Sequence, residues 1–283
     1  LSIDMIAYQD AIDAGLVLGP RLRSTGPALF SYNRFQSLDE VRAVLRRYRD
    51  AYGLGNIKEY RTGSRKVRQW VSQAARELGL LPTTEGALSL KLDLTQIIDG
   101  FAGNEHALPA TLEDDGGGLL AAMRTSYTTT LMVTNSGAPG ADWFTTNRDP
   151  YHDAKLARFW PQSVRRAKLL DRPWVSLVEE RFPAVGRDAA KVAAGGGLVG
   201  MGAHGEAPGI GLHWEIEAHV MGGMTPMAAL HAATAGSAET IGRLDDLGTI
   251  EPGKLADLVI LDRDPLTDIR NSNTIAQVMR GGT

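Results

Sequence analysis

Short strand-like runs alternate with helix-period segments along most of this chain, and that alternation admits few architectures besides a parallel α/β sheet. Strands are expected at residues 21–26, 56–60, 80–84, 100–105, 127–133 and 198–203. Between them, Ser37 with Glu40 makes a capping box before an amphipathic run to Tyr52, and Ser64 opens a second run that stops at Gly79. Residues 188–194, 211–222 and 225–242 also read as helices, the last with Thr225 as N-cap and Pro226 at the first helical position. The period then changes: 255–262 and 275–280 are expected strands, and Glu251, Pro252, Gly253 and Lys254 supply turn chemistry before them. The expected organisation is a strand–helix domain over 1–243 and a small β unit over 244–283. Residues 134–183 interrupt the pattern, with one helix expected at 159–170. Such a stretch is either a lid or a surface insertion; as a lid it would use Trp143, Phe144, Phe159 and Trp160 to shield the rim.

A chain of 283 residues can bury a substantial core. Its net charge of −3 supplies no basic field for nucleic acid or anionic membrane, and no apolar run approaches the roughly 20 residues needed to span a bilayer. The expected partner is a small-molecule substrate. With no cysteine, disulfides, thiolate nucleophiles and Cys-based metal sites are excluded, so a metal would need His, Asp, Glu or a modified Lys. Residues 1–8 carry no basic and apolar leader, and there is no initiator Met. The chain is expected to start inside a longer polypeptide, which leaves cytoplasm and periplasm both open.

In parallel strand–helix folds the site forms at the C-terminal ends of the strands. That address selects Lys58, Glu85, His106 and His204, spaced so that successive strands would present the first three to one rim. Mixed His and carboxylate donors suit Zn²⁺ or Mn²⁺, which lowers the pKa of a bound water and polarises a carbonyl. The implied chemistry is hydrolysis. Each residue also has a structural alternative: His106 as a core histidine, Lys58 as a salt-bridged strand end. His213, His219 and His231 lack the i, i+4 spacing of a helical metal pair and read as structural or surface residues. The run from Gly200 to Gly205 fits G-x-G-x-x-G, but the segments after it read as two helices rather than the helix and acidic strand of a nucleotide fold.

Three C-terminal stretches are more specific: Leu212-His213-Trp214-Glu215; Gly222 to Pro226 with Ala233-Thr234; and Leu247 to Val259 followed by Asp264-Pro265-Leu266. With Gly19-Pro20-Arg21 and Glu105-His106, they resemble the amidohydrolase superfamily, in its imidazolonepropionase-like and prolidase-like branch, including forms fused to TolB-type propellers. The resemblance implies a (β/α)₈ TIM barrel of the metal-dependent hydrolase type, holding one or two divalent ions, zinc or manganese, and cleaving amide or cyclic amide bonds. Carried over by position, it implies metal ligands at Lys58, Glu85, His106 and His204, catalytic roles for His204 and Glu85, and substrate-binding roles for His213 and Glu215. Glu85 stands where a His is usual and His204 where an Asp is usual. The family's first-strand His-x-His pair is absent, so the resemblance covers about strands three to eight plus part of a small β-sandwich. A homo-oligomer or a missing N-terminal segment would then complete the barrel. The alternative is a barrel-derived binding module that has lost its metal site.

Overall fold

The computed structural model describes residues 5–85, 89–134, 139–170 and 176–283. Five parallel strands form one sheet in chain order: β1 (Leu29–Phe30), β2 (Asn56–Tyr60), β3 (Leu81–Glu85), β4 (Gly103–Glu105) and β5 (Ser126–Thr128). A bridge from Tyr127 to Val199 adds a sixth position on the β5 side. Sequential neighbours joined through helices are the pattern of part of a TIM barrel. An antiparallel pair, β6 (Leu258–Leu261) and β7 (Ile275–Met279), forms the expected small β unit.

Helix α1 (Met5–Asp13) precedes the sheet, and α2 (Leu38–Tyr52), α3 (Arg65–Leu78), α4 (Leu90–Ile98) and α5 (Asp114–Met123) connect its strands. Ser37 caps α2 by accepting the Glu40 N–H at 3.2 Å. The reciprocal half of the box is shifted by one residue: Glu40 accepts the N–H of Gln36. Replacing Ser37 with Ala is expected to cost about 1 kcal/mol of unfolding free energy, measured by urea denaturation. In β2 the buried positions are Ile57 and Glu59, which face the helices, while Lys58 points to the other face of the sheet. Leu29, Leu45, Ile57, Val71 and Phe101 form one core between this sheet half and its helices. A second core centres on Tyr127, Val192, Val199 and Ile216.

Several expected strands are shorter than the sequence suggests or absent: the one at 100–105 begins only at Gly103, and the one at 255–262 spans only Leu258–Leu261. Residues 21–26 are not a strand, because Gly26 takes a left-handed turn (φ 66°) and Pro27 brings no N–H to a ladder, so pairing begins only at Leu29. The 127–133 strand stops at Thr128. Thr130 is left-handed (φ 52°) and Leu131–Val133 is a 3₁₀ turn, since the Leu131 and Met132 N–H groups donate to the Glu215 carboxylate instead of to a neighbouring strand. The 198–203 run keeps a single bridge at Val199, because the Met201 N–H donates to Ser237 Oγ.

The segment around 134–183 is built differently from a lid. Helix α6 (Gly140–Arg148) buries Trp143 and Phe144 against Phe182 and Trp214, with the Phe144 and Trp214 rings stacked at 5.6 Å. These rings are core and do not shield the rim. Phe159 is 74% exposed, and Trp160 packs on the outside of the same cluster. The helix expected at 159–170 is split, because Pro161 separates α7 (Ala154–Phe159) from α8 (Gln162–Arg165) and its π-type continuation Arg166–Leu170. Part of the expected insertion, 135–138 and 171–175, lies outside the described residues.

Helix α9 begins at Phe182, six residues ahead of its expected start, and runs to Ala194; α10 (Gly211–Met221) follows. The expected 225–242 helix runs as α11 (Pro226–His231), a π-type turn (Ala232–Gly236) and α12 (Ser237–Thr240). Thr225 caps α11 by accepting the Ala228 N–H. Gly236 lies so near the Val199 carbonyl that a Cβ would sit 2.3 Å from its oxygen, and this fixes the helix against the last bridge of the sheet. No helix among the described residues is long and apolar enough to cross a membrane.

Candidate functional site

Parallel register explains why distant residues meet. Lys58 pairs in the ladder with Thr83, and Glu85 with Glu105, so consecutive strands deliver Lys58, Glu85 and His106 to one end of the sheet. Lys58 Nζ lies 2.8 Å from Glu85 Oε2, and His106 Nε2 lies 3.4 Å from Glu85 Oε1. The rings of His106 and His204 have centroids 5.3 Å apart. All four residues expected at the rim therefore converge there.

Both histidines sit on left-handed backbone, at φ 69° for His106 and 56° for His204. Such a conformation is sparsely populated outside glycine and needs support from its surroundings. For His106 the support is the Thr128 carbonyl, which accepts its N–H at 2.7 Å. Its neighbour Ala107, with Ala207 beyond His204, packs into the aromatic cluster of Trp143, Phe144 and Phe182, so the 134–183 stretch braces both histidine loops from behind.

The electrostatics are set by Glu85. Burial pushes its carboxyl up, but hydrogen bonds from His106 and Lys58, with the Lys58 charge, outweigh that and hold it at about 2. It is a carboxylate at every pH at which the protein would work. A cavity of about 360 Å³ opens beside this group, and its lining includes Lys58, Glu105, His106 and His204. Thr130, Ser126 and Thr128 also face it; the last two carry buried hydroxyls with no hydrogen-bond partner.

Glu105 had no assigned role, although it stood beside His106 in a pair that carries the family resemblance. It is held by the Thr83 hydroxyl, and burial raises its pKa against that bond and the Lys58 charge. His213 and Glu215, expected at the substrate, do not line this cavity. His213 Nδ1 meets Ser272 Oγ at 3.1 Å, and Glu215 is fully buried on α10, where its carboxylate accepts the N–H groups of Leu131 and Met132. The helix turn that brings α10 against the end of β5 takes Glu215 away from the rim. The glycine run at 200–205 leads into turns, and the next helix starts only at Gly211, so the strand-to-helix step of a pyrophosphate site is missing there.

Among the described residues, no three His, Asp or Glu side chains converge as a metal cage, and Glu85 Oε2 is already held by Lys58. As arranged, these residues do not fit a complete metal site. One orphaned atom, the buried Nδ1 of His106, has no partner.

Comparison with known proteins places this rim in context. Residues 185–283 match the model of the amidohydrolase family. An imidazolonepropionase from Pyrobaculum arsenaticum (strain DSM 13514 / JCM 11321 / PZ6) is 60% identical over 40 residues, which is 14% of this chain. That match spans only 10% of the relative's own length. A crystal structure of a Xaa-Pro dipeptidase with methionine in its active site superposes with a TM-score of 0.69 at 23% identity, over 98% of this chain and 71% of that one. Phenylurea hydrolase B gives a TM-score of 0.69 at 19% identity, over 98% and 70%. At these identities the two structures speak to the fold, which is the partial TIM barrel described above. The C-terminal third of the chain is therefore similar to the amidohydrolase family, with a short stretch similar to an imidazolonepropionase, and the chain as a whole shares its fold with solved hydrolase structures.

Proposed function

We propose that this chain is part of a metal-dependent hydrolase of an amide or cyclic amide carbon–nitrogen bond, with Lys58, Glu85, His106 and His204 at its reacting centre. The observation that carries this reading is that Lys58, His106 and His204 line one cavity, with Glu85 held between Lys58 and His106 beside it. The family likeness of residues 185–283 supports the reaction class.

His204 is the exposed member at the mouth, with Nδ1 3.4 Å from Glu206 Oε1, and in this reading it takes a proton from an attacking water. Lys58 and His106 fix Glu85 between them and leave it charged, so the carboxylate orients the His106 ring. The metal part of the reading needs donors beyond the described cluster, and no step is routed through an ion here. Zinc is the preferred metal and manganese the second, on the chemistry of imidazole and carboxylate donors.

A second reading, a barrel-derived binding module, is favoured by the Lys58–Glu85 ion pair, which occupies the carboxylate without any ion. Metal content separates the two. On the hydrolase reading, with donors beyond the described cluster, plasma mass spectrometry after loading with zinc or manganese finds about one ion or more per chain in the wild type, and on the binding-module reading it finds none. His106→Ala and Glu85→Ala are each expected to lower it by about tenfold or more. No retained metal in the wild type would sink the hydrolase reading for this chain and favour the binding module.

A further inference from the structure

Helix α10 buries two titratable side chains that do not reach the cavity, Glu215 and His219, both with 0% exposure. Apart from one bond within the helix, their partners lie on the few residues that follow β5. Glu215 Oε1 accepts the Leu131 N–H at 2.7 Å, and Oε2 accepts the Met132 N–H at 3.1 Å. His219 Nδ1 is 2.8 Å from the Glu215 carbonyl, which can only accept, so Nδ1 carries the hydrogen. The bare Nε2 must then accept, and the Thr129 hydroxyl donates to it at 3.1 Å. One helix thus captures a hydroxyl and two consecutive backbone N–H groups from a four-residue stretch.

That stretch borders the site on two sides. Thr128 and Thr130 line the cavity, and Thr130 is left-handed. Thr128 also accepts the His106 N–H, while the neighbouring Tyr127 hydroxyl accepts the Leu108 N–H at 3.2 Å. The loop carrying His106 therefore hangs on the end of β5, and the end of β5 hangs on α10. We propose that Glu215 and His219 are positioning residues of the candidate site, acting through residues 128–132 to hold the backbone of His106 and the cavity wall at Thr130. The inference rests on the reading of that rim as the reacting centre, although the coupling it claims exists whether or not the rim catalyses anything.

Glu217 provides an internal control. It lies on the same helix with 7% exposure, but it binds Arg148 on α6 and makes no hydrogen bond to the β5 end. The experiment is NMR on the isotope-labelled full chain, following the His106 amide and ring resonances and the exchange rate of that amide. Glu215→Gln and His219→Phe are expected to move both sets of resonances and to speed His106 amide exchange by about tenfold or more. His219→Gln, whose amide oxygen can stand where Nε2 does, is expected to restore most of the wild-type pattern. Glu217→Gln, which reaches His106 only through Arg148 and the aromatic cluster, is expected to move His106 far less than Glu215→Gln does. Unmoved His106 resonances in both Glu215→Gln and His219→Phe would overturn the proposal, as would equal movement in Glu217→Gln. If Glu215→Gln does not fold, the His219 pair decides alone. The hydrolase reading is tested separately by metal content, so a metal-free wild type in which His106 still responds to α10 would leave the positioning role standing.

Discussion

Truncating Phe144 to Ala is expected to remove about 3–5 kcal/mol of unfolding free energy, whereas Phe159→Ala should stay within about 0.5 kcal/mol. The two residues lie in the same irregular stretch and are chemically identical, so the difference isolates burial. Phe144 has 0% exposure and touches Trp143, Phe182 and Trp214 at ring distances of 4.9, 5.6 and 5.6 Å; Phe159 is 74% exposed. Arg148 adds to the cluster by stacking over Trp143 at 5.0 Å while pairing with Glu217. Urea unfolding of both variants measures the contrast. A loss under about 1 kcal/mol at Phe144 would mean that this segment is peripheral, and the lid reading would return. Because Ala107 and Ala207 belong to the same cluster, Phe144→Ala should also loosen the His106 and His204 loops.

The second large effect is a pH profile of stability with an unusual shape. Burial pushes the Glu215 carboxyl up to about 8, against the two backbone N–H groups that favour its charged form. Burial pushes the His219 ring down to about 4, against the Glu215 carbonyl that favours the cation. The facing titratable groups are each other, with His219 Nδ1 3.7 Å from Glu215 Oε1. For Glu215 the folded state keeps a proton that the unfolded chain releases above its ordinary 4.5, so its contribution is complete below 4.5 and is lost as pH rises toward 8. For His219 the unfolded chain gains a proton below its ordinary 6.5 that the folded state refuses, so its contribution is complete above 6.5 and is lost as pH falls toward 4. Between 4.5 and 6.5 the two slopes oppose and cancel. From 6.5 to 8 Glu215 acts alone, and stability is expected to fall by about 2 kcal/mol. Glu215→Gln should abolish that alkaline fall and uncover a loss of about 3 kcal/mol from pH 6.5 to 4, owed to His219. Urea midpoints across pH 4 to 9 for wild type and Glu215→Gln measure both arms; parallel profiles would contradict the assignment.

Much of the site's address was legible in the sequence. A strand–helix alternation, capped at Ser37, opened again at Ser64 without a capping bond and stopped at Gly79, fixes parallel neighbours, because helix boundaries and hydrophobic period depend only on nearby residues. Parallel neighbours then force Lys58, Glu85 and His106 to one end of the sheet, since each crossover returns the chain to the same edge. The C-terminal stretches around Trp214 and Leu255 carried the likeness to the amidohydrolase family in the same way, as a linear pattern within residues 185–283.

Tertiary contacts decided the rest. Residues 127–133 have the composition of a strand, yet they turn at Thr130 because a carboxylate 84 positions away offers Leu131 a better acceptor than any neighbouring strand. Trp143 and Phe144 have the composition of a lid, but Phe182 and Trp214 surround them and make them core. Glu215 sits in a family pattern that suggested substrate, and the packing of α10 turned it instead into the anchor of a backbone. Glu105 gave no signal beyond its place beside His106 in the pair that carries the family resemblance, because its burial and its bond to Thr83 arise only when β3 and β4 pair. The sequence by itself determined the elements, their order and the rim they share, all of which follow from local propensity and the geometry of parallel pairing. The partners of buried polar groups were settled only by the folded structure, since desolvation makes an unpaired donor so costly that distant residues are drawn in to satisfy it.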